Sequence, residues 1–292
     1  MSAALLSERA PAKINLTLHI TARRDDGFHA LESLVCFSAG GDTLTLDPDA
    51  PLSLVVEGPT AVAAGDLADN LVLRAAHALA ARIPHLKTGR FTLVKRLPVA
   101  AGIGGGSSDA AAALRLLAKF NNLSADDPRL YEAAAEIGSD VPVCVNAQAR
   151  MMRGRGEDLG PLITLPRLFA VLINPGVPVE TKSVFARIGL KPGEQTGYGA
   201  HPIISAHPLR DELFAAVKKG RNDMEDAASV IAPVIGHCLA VLAAAPGAKL
   251  ARMSGSGATC FALFDDCRAA KMAACVIRRD HPEWWVKSSL LR

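Results

Sequence analysis

The chain is poor in aromatic residues. Phe, Tyr and Trp make up only 4% of its 292 residues, so the core must be built mainly from Ala, Leu, Val and Ile. No apolar run approaches the ~18 residues of a membrane span, and the apolar opening stretch is cut short at Glu8 and Arg9, too early for an export signal. The expected location is the cytoplasm. Basic residues never run beyond two in succession, and 32 basic against 29 acidic residues leave a net charge of +3. No nucleic-acid stripe emerges from that pattern, whereas a mild basic excess suits a substrate carrying several phosphates. The six cysteines include no Cys-x-x-Cys pair and no metal-ligand spacing with His, as for buried or incidental thiols in a reducing compartment.

What is present is a globular composition, 50% apolar and 21% charged, in a chain long enough for one large or two medium domains. From Ala12 to Thr21 the apolar period is two, which predicts one half-buried antiparallel strand with Lys13 and Asn15 as neighbours on its polar face. Shorter alternating pieces lie at Thr43–Leu46, Leu52–Val56 and Phe91–Val94, and helices are expected over Asp69–Ala81, Asp109–Phe120 and Pro128–Ile137. A second unit begins near Arg155, giving expected domains of 1–155 and 156–292. It contains a buried strand at Leu168–Ile173, a short helix at Thr181–Ile188 and a long loop over 190–208. A helix over Asp226–Ala245, strands Lys249–Met253 and Thr259–Phe264, a helix over Asp266–Arg279 and a last strand near Trp285–Leu290 follow. This order predicts two α+β domains rather than a doubly wound parallel sheet.

Three segments carry chemistry. Pro98, Val99, Ala100, Ala101, Gly102, Ile103, Gly104, Gly105, Gly106, Ser107 and Ser108 run directly into Asp109 and an alanine-rich helix. Glycines let backbone amides turn around an anion, and the helix N-terminus aims its free N–H groups at the same point. The run is not a Walker loop, since no Gly-Lys-Ser/Thr follows, and the third glycine of a dinucleotide fingerprint would fall on Ser107. A flexible loop ending in a helix cap is the plain alternative. Second, Lys13 and Asn15 share a strand face, and the Gly27 turn carries Phe28 and His29 beside it; a lysine on such a face is ordinarily just solvated. Third, Gly138-Ser139-Asp140-Val141-Pro142 offers a carboxylate that serves equally as a helix cap or as a base.

Together these segments resemble the GHMP kinases, and within them the branch whose phosphoryl acceptor carries a cytosine. The resemblance implies a two-domain GHMP kinase fold of the α+β class, with a ribosomal-protein-like N-terminal domain and a ferredoxin-like C-terminal domain. It implies ATP with Mg2+ and a cytidyl diphospho-sugar alcohol as substrates, and no nucleic-acid or membrane partner. ATP is expected on residues 98–108, with Asn70 and Lys95 on the nucleotide side and Ser108 as a candidate magnesium ligand. Lys13 and Asp140 are implied as catalytic, and Asn15, Phe28, His29, Thr181 and Phe185 as substrate-binding, with Phe28 and Phe185 facing each other across the base. Phe28 stands where tyrosine is usual; the ring still stacks on a base. Met253–Ala258 resembles a third family motif beside the phosphates, and Asn222–Glu225 a further family run. The alternatives are a homoserine- or mevalonate-type kinase, against which the base-stacking turn argues, and a non-catalytic metabolite- or RNA-binding relative, against which Lys13 and Asp140 argue.

Overall fold

A computed structural model describes residues 5–64 and 69–292; residues 1–4 of the apolar opening stretch lie outside them. Strands β1 (Leu6–Asn15), β2 (His19–Arg23), β3 (His29–Asp47) and β4 (Ser53–Glu57) come first. Helix α1 (Leu71–Arg82), strand β5 (Arg90–Val94) and helices α2 (Gly105–Phe120), α3 (Pro128–Ile137) and α4 (Val141–Asn146) follow. Next are β6 (Arg150–Gly154), β7 (Asp158–Leu162), β8 (Leu168–Asn174) and helices α5 (Thr181–Ile188), α6 (Arg210–Lys219), α7 (Glu225–Ile231) and α8 (Val234–Ala244). The chain ends with β9 (Ala248–Met253), β10 (Cys260–Phe264), α9 (Cys267–Asp280) and β11 (Trp285–Leu291).

Two units arise, each assembled from separate stretches. The first takes residues 5–13, 40–64, 69–99 and 104–147. In it β5 lies between β4, which pairs parallel, and the C-terminal part of β3, which pairs antiparallel from Thr43 opposite Val94 to Asp47 opposite Arg90. Helices α1 to α4 pack on one another; α2 buries Ala110–Ala113 fully, and these small side chains let neighbouring helices approach closely. Asp127 caps α3 through the Arg129 amide, with Pro128 in the first turn.

The second unit comprises Ile14–Ala39, Ala100–Ile103 and Gln148–Arg292. Its β11, β8, β10 and β9 form an antiparallel sheet in that order, joined to the N-terminal part of β3 through Leu291 opposite Ser38. β3 also pairs with β2 and with β6, and β6 with β7. Helices α8 and α9 pack on the sheet, closing a core that includes Val171, Ile173, Leu242, Phe264 and Ile277.

Two expectations are corrected. The strand expected over Ala12–Thr21 is divided between β1 and β2, and Ala12–Ile20 is buried throughout rather than half-buried. Internal hydrogen bonds make that tolerable: Asn15 donates to Ser33, Thr17 pairs with His201, and His19 accepts from the Arg221 amide. The helix expected over Asp226–Ala245 is split into α7 and α8, because Pro233 has no N–H and its ring clashes with the preceding turn. The 190–208 loop is laid along β2 by Gly193 N–H to Arg23 O, Arg23 N–H to Glu194 O and Thr196 N–H to Thr21 O. Helix α6 after it was not anticipated.

Candidate functional site

In the first unit the glycine-rich run becomes a helix start. Gly104, at φ 59°, is the N-cap of α2 and offers no side chain to its amides, so the first turn keeps free N–H groups and the positive end of the dipole. Helix α2 begins at Gly105, four residues before the expected Asp109, because glycines at its start leave the amides unobstructed. A Cβ on Gly104 would stand 3.2 Å from the Lys13 Cβ, so the lysine stem runs directly beside this cap.

Lys13 lies near the end of β1, buried, and its Nζ is 2.7 Å from Asp140 Oδ1. Asp140 precedes α4 but makes no side-chain cap hydrogen bond; its carboxylate turns to the lysine and stays about a third exposed (35%). The purely capping reading of Asp140 therefore does not describe what its carboxylate touches. Ser108 ties these pieces together: its hydroxyl donates to Pro11 O at 2.6 Å and meets Cys144 Sγ at 3.4 Å, linking α2 to β1 and α4. Burial pushes the Cys144 thiol up to about 12, so it is inert.

Ser108 is 1% exposed and committed to Pro11, which leaves it poorly suited to a metal. Among the described residues no group of three or more His, Cys, Asp or Glu side chains could hold a metal ion. Asn70 caps α1 by accepting from the Val72 amide. Lys95 is buried, and its ammonium contacts Asp42 at 2.5 Å and Asp109 at 2.7 Å. Burial pulls the Lys95 pKa down, but the two carboxylates outweigh it and the pKa ends raised.

In the second unit, Ala101–Ile103 meets the Met253–Ala258 turn. Ser254 Oγ donates to Gly102 O at 3.1 Å and accepts from the Asn15 amide at 3.1 Å, while the Thr259 amide donates to Ala101 O. The approach leaves no room for side chains: a Cβ on Gly102 would fall 2.4 Å from Ser254 O, and one on Gly255 2.6 Å from Gly102 O. Asn222 holds the turn from behind by donating to Met253 O and Gly255 O. Asn15 gives its amide N–H to Ser33 and leaves Oδ1 buried without a partner.

The aromatic group differs from expectation. The ring against Phe185 is His29, stacked at 4.1 Å between centroids and 11° between planes, and the group over Phe28 is the Arg155 guanidinium at 4.9 Å. Phe28 and His29 are consecutive where the chain enters β3, so their side chains leave in opposite directions and only one can lie on Phe185. Burial, then the Arg23 charge, lowers the His29 pKa and favours the neutral ring. Thr181 contacts Ser256 at 2.8 Å, one helical turn from Phe185. Arg155, Asp42 and Asp109 were not singled out as site residues; isolated charges in a turn, a strand or a helix carry no pattern of their own.

The model for the GHMP kinases N terminal domain matches residues 70–148, and that for GHMP kinases C terminal matches 209–282. A Methylobacterium radiotolerans protein named 4-diphosphocytidyl-2-C-methyl-D-erythritol kinase is 59% identical over 289 residues, 99% of each chain. The chain belongs to the GHMP kinase family. A protein of the same name from Methylorubrum extorquens strain PA1 is 56% identical over 98% of this chain and 99% of its own. Among solved structures, a 4-(cytidine 5'-diphospho)-2C-methyl-D-erythritol kinase superposes with a TM-score of 0.76 at 30% identity, covering 98% of this chain and 99% of its own. Homoserine kinase from Cytophaga hutchinsonii, at TM-score 0.63 and 17% identity over 99% and 94% of the two chains, shares the fold. In this GHMP kinase the α+β architecture is thus the family's, and the described residues include no helix long and apolar enough to cross a membrane.

Proposed function

We propose that this kinase transfers the γ-phosphoryl group of ATP to the 2-hydroxyl of 4-diphosphocytidyl-2-C-methyl-D-erythritol, in the methylerythritol phosphate route to isoprenoid precursors. The observation that carries the reading is the Lys13–Asp140 pair, 2.7 Å apart in the same unit as the uncapped start of α2. Full-length relatives of that name at 56–59% identity support the choice of acceptor. On this reading residues 1–155 form the nucleotide-binding domain and 156–292 the C-terminal domain, and the two family matches fall within these spans.

Phosphoryl transfer asks a protein mainly for positioning and charge stabilisation. The α2 amides and the preceding glycines receive the ATP phosphates; Mg2+ would arrive with the nucleotide and offset its charge, with no described side chain assigned to it. Asp140 orients the attacking hydroxyl and takes its proton as the bond to phosphorus forms. Lys13, 2.7 Å from that carboxylate, balances the charge growing on the hydroxyl oxygen. Phe28, His29 and Phe185 hold the cytosine by stacking and edge contacts, with Asn15 and Thr181 on the rest of the acceptor. All six cysteines are free, as suits the cytoplasm. A phosphate-transfer assay offering the cytidyl acceptor, mevalonate and homoserine side by side tests the reading. Transfer to the cytidyl acceptor is expected; preference for either other alcohol overturns it.

A further inference from the structure

Beneath the glycine-rich run sits a buried cluster of charges that the proposed chemistry does not use. Asp42, Lys95 and Asp109 have side chains 0%, 4% and 4% exposed. Asp42 Oδ1 accepts from the Arg96 amide at 2.5 Å and the Leu97 amide at 2.8 Å, while its Oδ2 contacts Lys95 Nζ. Lys95 Nζ continues to Asp109 Oδ2 at 2.7 Å, and the Cβ position of Gly105 is 3.7 Å from the same nitrogen. The chain of contacts therefore starts on the residues entering the run and ends one turn into α2. We propose that Asp42, Lys95 and Asp109 act as positioning residues that fasten the two ends of the glycine-rich run, 95–97 and 109, and so fix the orientation of the amides that receive the ATP phosphates.

The arrangement is charged more than a passive fastener needs. Two carboxylates on one ammonium leave a net charge of −1 under a surface meant for a polyanion. Asp109 Oδ1 is buried and has no partner. Burial first, then the Asp42 charge, raise the Asp109 pKa against the pull of Lys95. The charges on Asp109 come from Lys95, just after β5, and from Asp42 on β3; the Arg96 side chain turns away to Thr43 Oγ1. A proton on Asp109 neutralises the cluster and gives its unpartnered Oδ1 a hydroxyl, so the arrival of a polyanion above it favours uptake of a proton there.

This rests on reading the run as the nucleotide site, and the test separates the two. ATP with Mg2+ is titrated calorimetrically at pH 7.5 in buffers of different ionisation enthalpy, on wild type, Asp109→Asn and Asp109→Ala. Wild type should take up part of a proton in excess of Asp109→Asn, which is neutral at every pH and keeps an acceptor for Lys95. Asp109→Ala should weaken ATP roughly tenfold by losing the clamp, leave the KM for the cytidyl acceptor unmoved, and be rescued in affinity by Asp109→Asn. Equal proton uptake in wild type and Asp109→Asn overturns the proton linkage, whether or not Asp109→Ala folds. Unchanged ATP affinity in folded Asp109→Ala, or equal loss for both substrates, overturns the clamp. If wild type binds no ATP, the nucleotide reading itself fails.

Discussion

The residues assigned to phosphate chemistry and those assigned to the base are held in opposite ways. Lys13, Lys95, Asp42 and Asp109 are buried and joined by ionic contacts of 2.5–2.7 Å to partners on other elements. Phe28, by contrast, is 55% exposed on a turn set by Gly27, with Arg155 stacked over it. Charge stabilisation depends on fixed distances in a medium that excludes water, and loosening it by an ångström removes the benefit. Stacking tolerates shifts in the plane of the ring and can be completed when the ligand arrives. Rigid chemistry and adaptable recognition are thus separable here, and substitutions should separate them.

The largest expected effect is at Gly104. Gly104→Val forces a β-branched residue to φ 59° and drives its methyls toward Lys13, 3.2 Å from the Cβ position. ATP binding should be abolished in calorimetry, and unchanged affinity in a folded variant would remove this helix start from the site. A smaller effect is expected at Phe28. Phe28→Ala should raise the KM for the cytidyl acceptor and lower its kcat/KM roughly tenfold, from the ~1–3 kcal/mol of a stacked base, with the KM for ATP unmoved. Phe28→Tyr should change little. Equal loss for both substrates would make Phe28 a mere anchor of its turn.

The smallest effect concerns stability rather than rate, and it lies in the second unit. His19 is 1% exposed, and burial, followed by the charges of His201, Arg221 and Arg252, holds its pKa down at about 3. Its stabilising neutrality is complete above the unfolded pKa of ~6.5 and is lost progressively as pH falls below it. Melting temperature should therefore drop between pH 7 and pH 5, and His19→Asn should flatten that drop. An identical acid sensitivity in the variant would place the titrating group elsewhere.

The same contrast explains what the sequence made legible. Helices α3 and α5 were readable to their ends, because Asp127-Pro128 and Gly138 in one, and Gly189 after the other, act locally. The glycine-rich run was readable because so many glycines directly before an apolar helix are unusual, whereas Lys13 stood out only through the family resemblance. Strand β3 was glimpsed only at Thr43–Leu46: its middle is buried on both faces, so Leu34–Phe37 shows no alternation to detect. Strands β6 and β7 were missed, since Arg150–Gly154 shows no alternation of apolar and polar residues and only its pairing with β3 and with β7 marks it as a strand. The contact of His29 with Phe185 joins residues far apart in the chain, and no local pattern announces it.

Most direct for the central claim is the turnover of Asp140→Asn with saturating ATP and cytidyl acceptor, taken with its ATP affinity and melting temperature. The substitution keeps the shape of the group beside Lys13 but removes its charge and its capacity to take a proton. Turnover should fall roughly 10²–10⁴-fold, the usual worth of a general base, while ATP affinity and melting temperature stay near wild type. Normal turnover per folded molecule would contradict the assignment of Asp140 to the chemistry.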